Sequence, residues 1–188
     1  MKFLTTSEAQ QWLAPLGATI GKDRAISFGR DHKDRALRLN AEFPKTPRQV
    51  TYFAERAVDW LPREYERLLW LSDWETYPSH PLNFFELVRL GCGERRHIID
   101  APGCVFNPDR GPKDQEFSAE PDTFPLIGFV MLLMDFDWAG YLISQDAASA
   151  SLVYFNDEVI SFSASDPTAL EDARGLCGQF HMNIKGQK

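Results

Sequence analysis

The chain has 188 residues and a formal net charge of -7, with 44% hydrophobic and 25% charged residues and a strong aromatic content of 14 Phe, 5 Trp and 5 Tyr. That length fits one α+β domain spanning residues 1–188, with a core large enough to stand without disulfide or metal staples, and the composition excludes intrinsic disorder. An acidic chain also lacks the Lys and Arg excess that neutralises phosphate backbones, so nucleic acid is not an expected partner.

The N-terminal stretch MKFLTTSEAQQWLAPLG turns polar after Leu4 and carries no apolar signal core. Three cysteines, an odd number, then make a reduced cytoplasmic protein the expectation. The longest apolar run, Phe124 to Met134, is too short to cross a bilayer and stops at Asp135, so no membrane role is expected.

In chain order, Ser7-Glu8-Ala9-Gln10 reads as a capping box that opens a short helix through Trp12 and Leu13, ending near Pro15 and Gly17. Leu37, Leu39, Ala41 and Phe43 alternate with Arg38, Asn40 and Glu42, the pattern of a half-buried strand. Thr46-Pro47 supplies an N-cap and first-turn pair for a helix that buries Val50, Phe53, Ala54, Ala57, Trp60 and Leu61. After Pro62 the segment REYERLLWL is predicted as a second helix with Tyr65, Leu68, Leu69 and Trp70 inward, and LNFFELVRL after Pro81 as a third, closed by Gly91. Residues 107–122, rich in Pro, Asp and Glu, form a surface loop.

The run from Thr123 to Met134 shows no period, and its length favours a buried helix over a strand. WAGYLIS, SLVYFN and VISFSAS then read as consecutive antiparallel strands, with Asp157-Glu158 as a hairpin turn. Asp166-Pro167 opens a last helix. The expected architecture is a small antiparallel sheet, essentially this C-terminal meander, packed against several helices.

Chemistry-bearing residues concentrate in RLGCGERRHIIDAPGC, Arg89 to Cys104. Cys92, His97 and Asp100 are the candidate thiol site: a nucleophilic thiolate, a base, and a carboxylate to orient the base. Against it, Cys92 follows a helix C-terminus, the end of the dipole that disfavours a thiolate. Cys92, His97, Cys104, Cys177 and His181 also contain the donor types of a tetrahedral zinc site, but no short Cys-x-x-Cys knuckle is present, and packed free cysteines are the preferred reading. No metal or cofactor is expected. Phosphate-loop, dinucleotide, zincin and serine-hydrolase motifs are all missing from the sequence.

Charge is unevenly spread. Residues 1–50 carry 9 basic and 5 acidic side chains, whereas residues 101–150 carry 2 basic and 8 acidic. Such a field favours encounter with a basic protein. Asp135 and Asp137 fall where the apolar run must end, just before Trp138.

Leu61-Pro62-Arg63-Glu64-Tyr65-Glu66-Arg67-Leu68-Leu69 resembles the leucine-proline, tyrosine and hydrophobic-pair pattern that opens a helix in the SUKH superfamily, many of whose members are immunity proteins against secreted toxins. The strand-strand-strand-helix order from Trp138 to Leu176 is similar to the end of that fold. The alternative is a separate family of bacterial α+β proteins. The resemblance implies a non-enzymatic binder that blocks a basic toxin. Its contact residues would be Asp109, Asp114, Glu116, Glu120 and Asp122 on the loop, with Asp135, Asp137 and Trp138 beyond it. The remaining alternatives are a small enzyme using Cys92, His97 and Asp100, and a sheet-mediated dimer with no ligand.

Overall fold

The computed structural model describes residues 1–30, 36–73, 103–108, 123–146, 148, 151–156 and 158–185. The fold is α+β, as expected. Strand β1 (Lys2–Leu4) runs directly into helix α1 (Thr6–Leu13). Thr5 is the cap: its Oγ1 accepts from the Glu8 main-chain N–H at 3.2 Å, and the Glu8 carboxylate accepts from the Thr5 N–H at 2.8 Å. This reciprocal box satisfies two otherwise unpaired donors. It lies two residues before the position read from the sequence, because Gln10 is used elsewhere. Its Nε2 donates to the Ala18 carbonyl at 3.0 Å and its Oε1 accepts from the Ile20 N–H at 2.8 Å, so one side chain acts as the outer neighbour of strand β2 (Ala18–Ile20).

Strand β2 pairs with β3 (Ile26–Phe28) in a separate hairpin. Strand β4 (Leu37–Glu42) buries Leu39 and Ala41 and exposes Arg38 and Asn40, as its alternation predicts, but its first residue, Leu37, read as inward, is exposed. Helix α2 (Pro47–Trp60) is capped by Thr46, whose Oγ1 accepts from the Gln49 N–H at 3.3 Å, and buries Val50, Phe53, Ala54, Ala57 and Val58.

The main departure from the sequence expectation follows. Residues 61–66 form a turn, and Arg67–Asp73 is strand β5, not a helix. Leu68, Leu69, Trp70 and Leu71 are all buried while Tyr65 is exposed. An amphipathic helix buries one stripe and cannot hide four consecutive side chains without being covered all round. A central strand covered on both faces hides every one of them. Arg67, at the start of β5, is fully buried too, with Phe106 and Ser144 as its register partners.

The chain continues with β6 (Gly103–Phe106), α3 (Thr123–Asp135), β7 (Ala139–Ser144), β8 (Leu152–Asn156), β9 (Val159–Ala164), α4 (Pro167–Gln179) and β10 (Ile184–Lys185). The apolar run is therefore a helix, and the three C-terminal strands and last helix stand where expected. Asp166 caps α4 by accepting from the Thr168 N–H at 2.9 Å. The expected helix at LNFFELVRL lies outside the described residues.

The sheet is larger than the C-terminal meander. Eight strands pair in the order β1-β6-β5-β7-β8-β9-β4-β10, and each described pairing is antiparallel. The meander β7-β8-β9 is its middle, and strands distant in sequence extend it on both sides.

Helices α2, α3 and α4 cover one face. Phe129 of α3 meets Phe3 and Phe106, and Phe53 and Trp60 of α2 both pack edge-on against Phe162 of β9. The β2-β3 hairpin covers part of the opposite face. There the Trp70 indole N–H donates to the Arg24 carbonyl at 2.8 Å, and the Tyr141 hydroxyl is hydrogen-bonded to the Ile26 main chain. Close approach sets α3 on the sheet: a Cβ at Gly140 would lie 2.9 Å from Leu133 Cδ2 and 3.0 Å from the Trp70 carbonyl oxygen.

Two outcomes are expected. Gly140→Ala overpacks the seam between α3 and β7 and lowers stability by about 1–3 kcal/mol, whereas Gly175→Ala, in α4 with nothing within 4 Å of the added methyl, raises it by about 0.5–1 kcal/mol. Urea unfolding of both variants beside the parent measures this.

The second concerns acid. The Glu8 carboxyl is held at about 2, below its usual 4.5, first by the Thr5 main-chain N–H, then by the Thr5 hydroxyl and by Lys2 at 3.3 Å. A carboxyl depressed in the folded state stabilises above the unfolded value and loses that contribution as pH falls toward the folded one. Glu8→Gln is therefore less stable than the parent near neutral pH. The gap closes as pH falls from 4.5 toward about 2 in acid unfolding curves.

Candidate functional site

The acidic residues nominated from the sequence and described by the structure meet at one corner of the sheet. Helix α3 ends in a Schellman turn: the Trp138 N–H reaches the Leu133 carbonyl at 2.9 Å, and Asp137 takes the left-handed conformation at φ 53°. Asp and Asn tolerate that conformation better than most residues. The Asp137 Oδ1 accepts from the Glu158 N–H at 3.0 Å, and the Glu158 carbonyl accepts from the Phe43 N–H at 2.7 Å. One residue thus ties the end of α3 to the β8-β9 turn, and that turn to the chain after β4. The register Asn156↔Val159 makes the turn two residues long, with Glu158 at φ 60°, in agreement with the hairpin read from the sequence.

This geometry overturns the role expected of Trp138. Trp138, proposed from the sequence as a contact anchor, is 2% exposed and belongs to the core. Phe136 stacks on it with centroids 5.4 Å apart and an interplanar angle of 24°, and is 45% exposed. The sequence reading missed Phe136 and Glu158. The letters MDFDW mark a polar break after the helix but do not say which ring faces out; the left-handed turn at Asp137 puts the phenyl ring outside and the indole inside.

The electrostatics of the corner are one-sided. Asp135, Asp137 and Glu158 are exposed, and none is in an ion pair among the described residues. The carbonyl end of α3 adds a partial negative charge. Carboxylates there oppose the helix dipole, a local cost of roughly 0.3–1 kcal/mol each. For Asp137 the hydrogen bond to the hairpin turn offsets it, whereas for Asp135 nothing in the described structure does. Residues that break a local rule without structural return mark functional surfaces.

A second acidic feature is weaker. An open groove of about 590 Å³ between α2 and α4 is lined by Arg56, Asp59, Trp60, Glu171 and Asp172. Two of its four charges are spent: Asp59 pairs with Arg63 at 2.6 Å and Glu171 with Arg174 at 3.4 Å, and the Trp60 indole donates to the Ala169 carbonyl.

Among the described residues the metal-ligand candidates do not gather. Cys104 is buried in β6, in register with Phe3 and Leu69. Cys177 is buried in α4, where burial pushes its thiol up to about 11. His181, one turn further on, is exposed in the left-handed position that ends α4, with the Met182 N–H reaching the Cys177 carbonyl at 3.0 Å. Cys177 and His181 therefore do not face a common site. Among the described residues no group of three His, Cys, Asp or Glu side chains is placed to hold a metal ion. Cys92, His97 and Asp100, and the loop carboxylates Asp109, Asp114, Glu116, Glu120 and Asp122, lie outside the described residues.

Comparison with protein-family models, with curated proteins and with solved structures gives no match.

The burial of Cys104 and Cys177 has a direct readout. In a Cys92→Ala chain, both remaining thiols should resist a neutral-pH disulfide reagent while the protein is folded and react fully once it is unfolded in guanidinium. Fast native labelling of either would contradict their placement in the core.

Proposed function

We propose that the protein is a non-enzymatic binding domain that captures a basic protein partner through the corner formed by Asp135, Phe136, Asp137 and Glu158. The observation that carries this reading is the exposed Phe136 ring, stacked on Trp138 and flanked in the chain by Asp135 and Asp137, carboxylates in no ion pair among the described residues. Interfaces draw most of their energy from a few rigid aromatic anchors, and the charged rim steers and selects the partner. The acidic balance of residues 101–150 extends the same field in sequence.

An immunity protein that neutralises a basic toxin is the specific form of this reading, in line with the SUKH resemblance of Leu61–Leu69. That segment is a turn and strand where the resemblance implies a helix. Support for the reading therefore comes from the chemistry of the corner.

The test uses tagged protein against extract of its source cells, washed at low and then moderate salt, with bound protein identified by mass spectrometry. A basic partner released by salt is expected. With that partner purified, Phe136→Ala should lose about tenfold or more in affinity, the cost of truncating a central anchor. Asp135→Lys should bind more weakly while gaining about 0.3–1 kcal/mol of stability, because a cation suits the helix C-terminus. Partner binding that is indifferent to salt, to Phe136→Ala and to Asp135→Lys would remove the corner from consideration.

A further inference from the structure

The β2-β3 hairpin covers only part of its face of the sheet. Where its edge strand β3 stops, the sheet floor continues through β8, β9 and β4, and the step between them encloses a recess of about 240 Å³. Its lining is unlike an ordinary solvated strand face. Tyr141 and Tyr154, directly paired across β7 and β8, stack at 4.5 Å with an interplanar angle of 27°. The Tyr141 hydroxyl is hydrogen-bonded to Tyr154 as well as to Ile26, so the aromatic wall is locked in place. Ile26, Leu152 and Phe28 add apolar surface.

The other end of the recess is polar. Arg38 of β4 is paired in register with Ser163 of β9, and Ser161, two residues along the same strand, is paired with Tyr154. Arg38, Ser161 and Ser163 all line the recess. Ser163 is only 4% exposed and sits at the floor of the polar end. Arg38 is exposed and in no ion pair among the described residues. The first 50 residues, which supply Arg38 and the hairpin, also carry the basic excess of this otherwise acidic chain.

We propose that this recess binds a small aromatic monocarboxylate, its carboxylate held by Arg38 with the Ser161 and Ser163 hydroxyls and its ring laid against the Tyr141-Tyr154 wall. One guanidinium matches one carboxylate, which it can grip with two parallel N–H bonds. Neighbouring hydroxyls complete the acceptor needs of the bound oxygens. Size sets the rest of the ligand: about 240 Å³ is below the roughly 300 Å³ at which drug-sized sites begin, so the ligand is a single ring on a short arm. The site shares no residue with the acidic corner, and each can fail without the other.

The experiment is a titration of the full chain with phenylacetate, followed by amide chemical shifts. Phenylacetamide serves as the neutral isostere and inorganic phosphate as the bare anion. Saturable binding at millimolar Kd or tighter is expected, with the largest shifts at Ile26, Tyr141, Tyr154, Ser161 and Ser163. Arg38→Gln, a surface change that leaves the core intact, should weaken phenylacetate by about tenfold, or about 1.4 kcal/mol. Arg38→Lys should recover part of that loss. Phenylacetamide should bind as weakly to the parent as phenylacetate does to Arg38→Gln. No saturation at millimolar concentrations, shifts centred elsewhere, or affinity unchanged in Arg38→Gln would each overturn the proposal. So would inorganic phosphate shifting the same amides as strongly, which would reduce the site to a non-selective anion seat.

Discussion

Everything in this molecule depends on covering strand β5 from both sides. Leu68, Leu69, Trp70 and Leu71 project alternately to the two faces of the sheet, and all four are buried. Fully hiding a large apolar side chain is worth about 1.5–3 kcal/mol, so neither face of this strand is left to water. Helix α3 closes one side, so near that β7 carries Gly140 beneath Leu133. The β2-β3 hairpin closes the other, fixed by the hydrogen bond from the Trp70 indole to the Arg24 carbonyl.

The two proposed surfaces are by-products of how that covering ends. Helix α3 must stop where the chain turns back into β7, and its stop is a Schellman turn that buries Trp138 and leaves Phe136 outside. The hairpin is too short to reach across β8, β9 and β4, and its end leaves a step lined by tyrosine and serine. One surface is acidic around an aromatic ring. The other places Arg38 beside the Ser161 and Ser163 hydroxyls. Their opposite charge character follows the charge asymmetry along the chain, because the basic first 50 residues supply the hairpin and β4 while the acidic middle supplies α3.

Much of the local structure is legible in the letters. Thr46-Pro47 and Asp166-Pro167 each open a helix because a short polar cap and a fixed φ suit a first turn. The strands of the meander show their β-branched and aromatic content, and Leu37 to Glu42 shows the two-residue alternation of a strand with one wet face. The region around Asp135 and Asp137 is also visible as a polar break after an apolar run. At the first helix the same kind of pattern misleads. Ser7 to Gln10 and Thr5 to Glu8 both satisfy a capping box, and what decides between them is that β2 needs Gln10.

By itself, then, the sequence determined the fold class, the N-terminal caps of α2 and α4 and the C-terminal strands, because each rests on interactions between residues close together in the chain. Tertiary structure alone decided that RLLWL is a strand, that eight strands join one sheet, that Phe136 and not Trp138 faces outward, and that Arg38 stands beside Ser163. Those outcomes depend on pairings across long stretches of chain, such as Arg38 with Ser163 and Leu69 with Leu142. A continuous apolar run carries no period to say which partner will cover it, and burial on two faces is a property of the neighbours, not of the letters.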